Sequence, residues 1–372
     1  MQYAEAMQRF LQSVAPPGEA EFYLKLFHEQ KSDCFAVISV QRGVAEDALE
    51  AVALDLKVLS LLGLFPLVVV GLDSKQASSA RRAQKLESLL LQSEVAAEFC
   101  KTDLEAAKRA LKNESIPLLV IDESEDPKER IAVFIKELRA KKLVFLHRRG
   151  AIVQGQERVP ALRLDQLDSF VQALPTLGSE QRSMLELSKA WIEQSEGRRF
   201  LVAITSPLEL LRELFSIKGA GTLLRWGSSI TRHTNFSALD SAALNQIIEA
   251  SFARRLDDAF WEKQKGVLYL EENFRGLALM RCTPLGDYLD KFAVTKDARG
   301  EGVGGDLWQA VVAQHKGFFW RARPDNPILP WYQKHCDGMQ RSNNWWVFWR
   351  GLPAVHTAEL VAFADFKPSD FR

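Results

Sequence analysis

The chain has 372 residues, enough for two domains with a sizeable buried core. Its 47% apolar and 26% charged residues are those of an ordinary soluble globular protein, and 48 basic residues balance 48 acidic ones. That balance excludes a broad nucleic-acid surface and confines any cationic site to a local cluster, and no apolar run reaches membrane-spanning length. Cys34, Cys100, Cys282 and Cys336 are isolated, without zinc or redox spacing, and read as reduced packing thiols of a cytoplasmic protein.

In chain order, MQYAEAMQRFLQS suits an amphipathic helix better than a signal peptide, because Glu5 interrupts it. CFAVISV reads as a buried strand, VAEDALEAVALDLKVLSLLG as a helix ended by Gly63, and FPLVVVGL as a second strand. A charged helix near Ser78 to Ala97 leads to the strand IPLLVID, the helix PKERIAVFIKELRAK and the strand KLVFLH. Helices around Leu164 to Leu174 and Met184 to Gln194, the strand FLVAI and the helix SPLELLRELF continue the alternation, and SIKGAGTLLRWGSS closes it. Continuous apolar strands alternating with amphipathic helices predict a mainly parallel sheet covered on both faces.

Beyond this the pattern changes. ITRHTNFSALD lacks periodicity and reads as a linker, placing a boundary between residues 1–232 and 233–372. SALDSAALNQIIEASF reads as a helix capped by Ser237, with Asp240 three residues on. Short strands follow at GVLYLEE, GLALMRC and DYLDKFAV; then come a glycine loop, the helix GGDLWQAVVAQH, the strand GFFWRAR, a short helix at PWYQKH and the aromatic strand NWWVFWRG. This second part reads as a mixed α+β domain.

The glycine loop, FAVTKDARGEGVGGDLWQ, opens a helix, and bare amides at a helix N-terminus form an anion site. No Gly-Lys-Ser/Thr closes it, so it is not a P-loop. Gly300, Gly302 and Gly305 match a dinucleotide fingerprint in spacing. However, TKDAR separates them from the strand, and too little chain follows for that domain. The remaining reading, Arg299-x-x-Gly302-x-Gly304, resembles the acetyl-CoA pyrophosphate loop of the GNAT acetyltransferases, in which amides converge on two phosphates and any β-carbon would hold them off.

YLDKFAV, GEGVGGDLW, FFWRARPDNPILPWYQKHCDG and WWVFWRGL, in this order and spacing, resemble the acetyltransferase domain of the vertebrate-type N-acetylglutamate synthases, a group that includes bacterial bifunctional synthase/kinases. The resemblance implies acetyl-CoA as co-substrate, held by Phe292, Val294, Arg299, Gly300, Gly302, Gly304 and Gly305, and L-glutamate as acceptor, held by Lys291, Arg321, Arg323 and Asn326. It also implies Tyr332 as the group that protonates the departing thiol. Period two independently places Arg321 and Arg323 on one strand face and Lys291 opposite Asp290 and Phe292. Arginine forks match the two carboxylates of glutamate, or else a coenzyme A phosphate. No general base stands out, and no histidine pair has metal spacing, so no metal is expected. His335 is of interest through its place beside Tyr332.

The first domain resembles the amino-acid kinase fold, a three-layer α/β/α sandwich, as in acetylglutamate kinase. In FAVISVQRG, however, Ser39 stands in place of the family's lysine, and Gln41 and Arg42 stand in place of its glycine pair. The resemblance therefore implies a kept fold and lost kinase chemistry. ELFSIKGAGTLLRWG is similar to the segment that helps bind arginine in arginine-sensitive relatives, which makes Glu213 and Gly219 candidate effector residues. The expectation is a cytoplasmic homo-oligomer, dimer or tetramer, with no nucleic-acid or membrane partner. It transfers acetyl from acetyl-CoA to L-glutamate for arginine biosynthesis, with L-arginine as an effector. A GNAT for another acidic amino acid or amine, and a non-catalytic amino-acid sensor, remain as alternatives.

Overall fold

The computed structural model describes residues 13, 15, 19–29, 34–72, 76–121, 124–195, 200–216 and 219–372. The N-terminal helix expected over MQYAEAMQRFLQS falls outside them except for Ser13, as do Ile217 and Lys218. The chain divides into two compact units, Met1–Trp226 and Gly227–Arg372.

In the first unit, α1 (Glu19–Glu29) precedes β1 (Val37–Val40), α2 (Arg42–Asp47), α3 (Leu49–Leu61), β2 (Leu67–Val70) and α4 (Gln76–Gln92). Then come β3 (Ala97–Lys101), α5 (Leu104–Lys112), β4 (Ile116–Leu119), α6 (Pro127–Glu137) and β5 (Lys142–Leu146). A small hairpin, β6 (Val153–Gln154) and β7 (Glu157–Arg158), leads to β8 (Ala161–Arg163), α7 (Leu164–Ala173) and α8 (Ser179–Gln194). The unit closes with β9 (Leu201–Thr205), α9 (Leu210–Phe215) and β10 (Thr222–Arg225). The strands order as β3-β4-β2-β1-β5-β9-β10-β8. All neighbours are parallel except β9 and β10.

Alternation along the strands creates two cores. Ile38, Val68 and Leu118 face α1, α3, α4 and α9, whereas Val37, Val69 and Phe145 face α5, α6, α7 and α8. Each fully buried side chain of this size contributes roughly 1.5–3 kcal/mol, so the expected three-layer sandwich rests on strands that are apolar on both faces. Helix starts follow local chemistry: Asp126 accepts from the Lys128 amide ahead of Pro127, and Asp103 caps α5.

One buried group works against this unit. Asp55, on α3, keeps Oδ2 buried without a hydrogen-bond partner, and burial pushes its carboxyl up to about 7 from an ordinary 3.8. Its folded form holds the proton more tightly than the unfolded chain, so stability falls as pH rises through that window and stays reduced above it. Asp55→Asn is expected to stabilise the unit by roughly 1–3 kcal/mol near pH 8 and to have little effect near pH 4. Thermal melts at the two pH values measure this; equal shifts at both would remove the titration account.

In the second unit, β11 (Ile230–His233) and α10 (Ser241–Phe252) precede β12 (Val267–Glu271), β13 (Gly276–Thr283) and β14 (Gly286–Val294). They are followed by α11 (Val303–Gln314), β15 (Phe318–Ala322), α12 (Leu329–His335), β16 (Gly338–Arg341), β17 (Trp346–Arg350) and α13 (Thr357–Phe366). The sheet runs β11-β12-β13-β14-β15-β17-β16. One face packs on α11 and α12, and the other on α10 and α13. This is the expected GNAT-type α+β layout, with two corrections. Part of the presumed linker is β11, an edge strand paired with β12, and the cap of α10 is Asp240, which accepts from the Ala242 and Ala243 amides, rather than Ser237.

Candidate active site

Strands β14 and β15 are parallel, yet they pair only at Asp287 with Phe318 and Tyr288 with Phe319, and then part. The parting coincides with a bulge: the register of β14 against β13 shifts between Leu279 and Met280, leaving Asp290 extra. A bulge bends its strand and increases local twist, which turns the end of β14 away from β15. The glycine loop stands where the strands diverge.

Gly300 and Gly302 have φ of +81° and +83°, and Gly302 is the left-handed N-cap of α11. The first intrahelical amide bond is that of Asp306 to the Gly302 carbonyl, so the amides of Val303, Gly304 and Gly305 precede the hydrogen-bonded ladder. The turn requires glycine at 300 and 302, whereas the fold makes no such demand at 304 and 305. A β-carbon on Gly304 would meet Val294 Cγ2 at 3.6 Å and Phe292 at 3.9 Å, and one on Gly305 would meet nothing within 4 Å. Glycine inside a helix costs roughly 0.5–1 kcal/mol against alanine, so two glycines the packing does not need mark a surface left bare for close approach. Arg299 precedes them in extended backbone, after a short 3-10 turn at Lys296–Ala298.

Behind the loop, Phe292 stacks on Trp331 with centroids 5.7 Å apart and lies 6.5 Å from Tyr332. Tyr332 is 6% exposed, and its ring meets Trp320 at 5.5 Å and Phe348 at 5.6 Å. Burial pushes its phenol well above the usual range, so it holds its proton at neutral pH. Among the described residues its hydroxyl has no hydrogen-bond partner. The Val294 carbonyl accepts from Ser251 Oγ at 3.1 Å.

Lys291, Arg321 and Arg323 lie on the opposite sheet face, and one reading needs correction. The bulge breaks strict alternation, so Asp290 is on the same side as Lys291, with Oδ1 3.2 Å from Lys291 Nζ. Lys291 is 3% exposed and is already compensated by Asp370 at 2.6 Å; its Nζ also lies 5.1 Å from the Phe260 ring and 5.4 Å from the Phe371 ring. Arg321 stands over Trp345, with Cζ 4.0 Å from the ring centroid, and donates to the carbonyls of Ala364 and Lys367. Arg323 shares Trp345 at 5.5 Å and is exposed, and Asn326 Oδ1 is engaged in its own turn by the Ile328 amide. These side chains are therefore not a row of uncompensated charges.

Residues that the sequence did not single out complete the cluster. Asp290 Oδ1 lies 3.1 Å from Lys367 Nζ, and its Oδ2 lies 3.3 Å from Arg281. Burial alone would raise the Asp290 carboxyl, but the charges of Lys291, Lys367 and Arg281 hold it below the ordinary range. A carboxylate held so firmly ionised is a poor general base. His335 Nδ1 lies 2.8 Å from the Trp331 carbonyl, and its ring stacks on Trp331 at 4.0 Å. His315 bridges Asp287 (2.6 Å) and Tyr269 (3.0 Å) at the end of α11 away from the glycines, about 18 Å along the helix. Among the described residues no group of three or more His, Cys, Asp or Glu side chains could hold a metal, and no described helix is long and apolar enough to cross a membrane.

In the first unit, Ser39 and Gln41 are buried and bond to each other at 2.9 Å, and Arg42 begins α2 and pairs with Glu46 at 3.0 Å. The position read as a lost nucleotide loop is thus a closed polar contact followed at once by helix. Glu213 is 5% exposed. Lys142 Nζ approaches its Oε1 at 2.9 Å, and the amides of Ala220 and Gly221 donate to Oε2 at 2.8 Å each. Gly219 has φ of +55°, and a β-carbon there would lie 2.5 Å from Glu213 Oε2.

Residues 231–367 match the family model described as the N-acetyltransferase, NAT, of N-acetylglutamate synthase. The human mitochondrial N-acetylglutamate synthase is 29% identical, over 98% of this chain and 79% of its own length. An acetylglutamate kinase of Xanthomonas campestris pv. campestris is 27% identical, over 91% of this chain and 95% of its own length. Among solved structures, the N-acetylglutamate synthase of Neisseria gonorrhoeae complexed with coenzyme A and L-arginine shares the fold, with a TM-score of 0.53 at 16% identity. That match covers 90% of this chain and 98% of the other. These matches bear out the resemblance read from the sequence.

Proposed function

We infer that this chain, whose residues 231–367 match the N-acetyltransferase family of N-acetylglutamate synthase, is an amino-acid N-acetyltransferase. It moves the acetyl group of acetyl-CoA to the α-amine of L-glutamate, giving N-acetyl-L-glutamate and coenzyme A. The observation that carries this reading is the pairing of a splayed β14–β15 with glycines at 304 and 305 that the packing does not need. The Val303, Gly304 and Gly305 amides receive the pyrophosphate with Arg299, Gly300 and Gly302 shaping the turn, and the acyl arm enters between the strands past Phe292 and Val294. A free amine attacks the acetyl carbon, the C–N bond forms as the C–S bond breaks, Tyr332 gives its proton to the departing sulfur, and the proton lost by the new amide nitrogen passes through solvent to restore Tyr332. Lys291 and Arg321, with Arg323 and Asn326 at the rim, bind the acceptor's carboxylates.

The first unit keeps the kinase-like fold without the chemistry, and serves assembly and effector binding. The L-arginine reading draws support from the Ala220 and Gly221 amides gathered on Glu213 and from the arginine named for the Neisseria structure. Calorimetry with millimolar arginine that gives no heat would remove it. A cytoplasmic location is inferred from the isolated free thiols, and a homo-oligomer, dimer or tetramer, is testable by light scattering.

A thiol-release assay with acetyl-CoA and a panel of amino acids tests the whole reading. Glutamate should be the preferred acceptor, and release that is equal for all acceptors, or absent, would overturn it. The same preparation given ATP, magnesium and N-acetylglutamate should form no acyl phosphate, because the charge and close backbone approach that phosphoryl transfer needs are missing at Ser39, Gln41 and Arg42. Gly304→Leu is expected to leave the melting temperature nearly unchanged while weakening acetyl-CoA binding more than tenfold, about 1.4 kcal/mol by calorimetry. Unchanged affinity would move the pyrophosphate away from α11.

A further inference from the structure

We propose that residues 367–372 form an autoinhibitory strap whose Asp370 carboxylate occupies the place of an acceptor carboxylate on Lys291. The inference rests on the acceptor reading above, and it begins with what the two proposed acceptor cations touch. Lys291 Nζ is bound by Asp370 Oδ2 at 2.6 Å and covered by the Phe371 ring. Arg321, whose planar fork is built to grip a carboxylate, is instead given the neutral carbonyls of Ala364 and Lys367. One continuous stretch, the end of α13 and the residues after it, thus engages both cations.

The charge balance shows which member is the stand-in. Arg281, Lys291 and Lys367 surround Asp290 and Asp370. Asp290 belongs to β14 itself, with a side chain only 1% exposed, and is a fixed part of the sheet. Asp370 is 19% exposed and comes from outside the sheet. With Asp370 in place three cations face two carboxylates, a net charge of +1, and an incoming carboxylate finds less attraction than at the +2 left when Asp370 is withdrawn. With Asp370 withdrawn, Lys291 and Lys367 face a gap of the size and charge that a substrate carboxylate fills.

Away from the cation cluster, the strap is fastened to the 253–258 loop. Phe371 lies against Phe252 at 5.1 Å and under Arg254 at 5.3 Å. The Asp370 carbonyl accepts from the Asp257 amide at 3.0 Å, and the Arg372 amide donates to the Arg255 carbonyl at 2.9 Å. One aromatic ring, this short two-stranded contact, the Arg254 bond to the Phe371 carbonyl at 3.5 Å and the exposed Arg372–Asp258 ion pair at 2.7 Å hold it to the 253–258 loop, and a competing dicarboxylate must displace these together with the Asp370 ion pairs. A ligand that must displace an internal competitor binds with an apparent affinity reduced by the open fraction.

The test compares the wild-type chain with Asp370→Asn, Asp370→Glu and Phe371→Ala in the thiol-release assay, with glutamate and acetyl-CoA varied separately. Removing the carboxylate (Asp370→Asn) or the anchor (Phe371→Ala) should lower the KM for glutamate about fivefold or more and leave the KM for acetyl-CoA unchanged. Asp370→Glu, which retains the charge, should stay near wild type. If the wild type uses glutamate and Asp370→Asn leaves its KM unchanged or raises it, the strap is structural and the proposal fails while the acceptor reading stands. If the wild type shows no turnover but Asp370→Asn or Phe371→Ala gains it, the strap is confirmed as fully closed. If none of the proteins turns over glutamate, both fall. The paired variant guards against a folding defect, since Phe371→Ala leaves every charge in place.

Discussion

Replacing Tyr332 by phenylalanine is expected to lower kcat by roughly 10²-fold or more, with the KM values for glutamate and acetyl-CoA little changed. The ring itself is structural: it is 6% exposed and packed among Phe292, Trp320, Trp331 and Phe348, all contacts that phenylalanine keeps. Its hydroxyl has no partner among the described residues, so removing it strands no donor or acceptor, and stability should hold within about 1 kcal/mol. Burial holds the phenol protonated at neutral pH, so it is present as a hydrogen-bond donor toward the departing sulfur and not as a base. The measurement is single-turnover acetyl transfer alongside a thermal melt. Near-normal turnover with chemistry rate-limiting would reduce Tyr332 to packing, and a large loss of stability would make the kinetic result uninterpretable as acid catalysis.

The second large effect lies in the other unit. Glu213→Gln should destabilise it by roughly 3–5 kcal/mol, the usual result of breaking a buried pair by removing one charge. Burial by itself would raise the Glu213 carboxyl. The charge of Lys142, with the Gly221 and Ala220 amides and the Lys142 hydrogen bond, more than offsets this and holds it below the ordinary range. A depressed folded pKa means that this stabilisation is present above the unfolded value of about 4.5 and is lost as pH falls through the folded one. The substitution leaves the Lys142 ammonium, 17% exposed, without its carboxylate. It also weakens the two amide bonds that close the turn before β10. Urea unfolding, with hydrogen exchange at residues 219–225, should show the loss at pH 7 and a smaller one near pH 3. Equal losses at both pH values would mean that the turn depends on packing rather than on charge.

Much of the architecture was legible from the sequence because strand and helix periods differ. β1, β2, β4, β5 and β9 are short, apolar on both faces and separated by amphipathic helices, which is how a parallel sheet covered on both sides must read. The reading also passed over the helices α5 and α13, and the strands it missed are those whose own pattern is weak. β3 and β11 have largely half-exposed or exposed residues, and β16 is exposed along most of its length. Each is at or beside a sheet edge and owes its conformation to the neighbour it pairs with, so an isolated reading finds loop.

By itself the sequence determined the glycine loop, because it depends on residue types at fixed spacing along adjacent turns, whereas the rings around Tyr332 come from β14, β15 and β17 and are gathered by the fold. It also determined the absence of the kinase lysine and glycines, since Ser39, Gln41 and Arg42 are there to be read. What only the tertiary structure decided was the electrostatic state of the cations. A single extra residue, Asp290, broke the alternation that placed Lys291 opposite it. The carboxylate that neutralises Lys291 comes from Asp370, 79 positions away. Periodicity describes a regular strand, but a bulge and a long-range ion pair are set by how the chain closes on itself, and no local pattern encodes either.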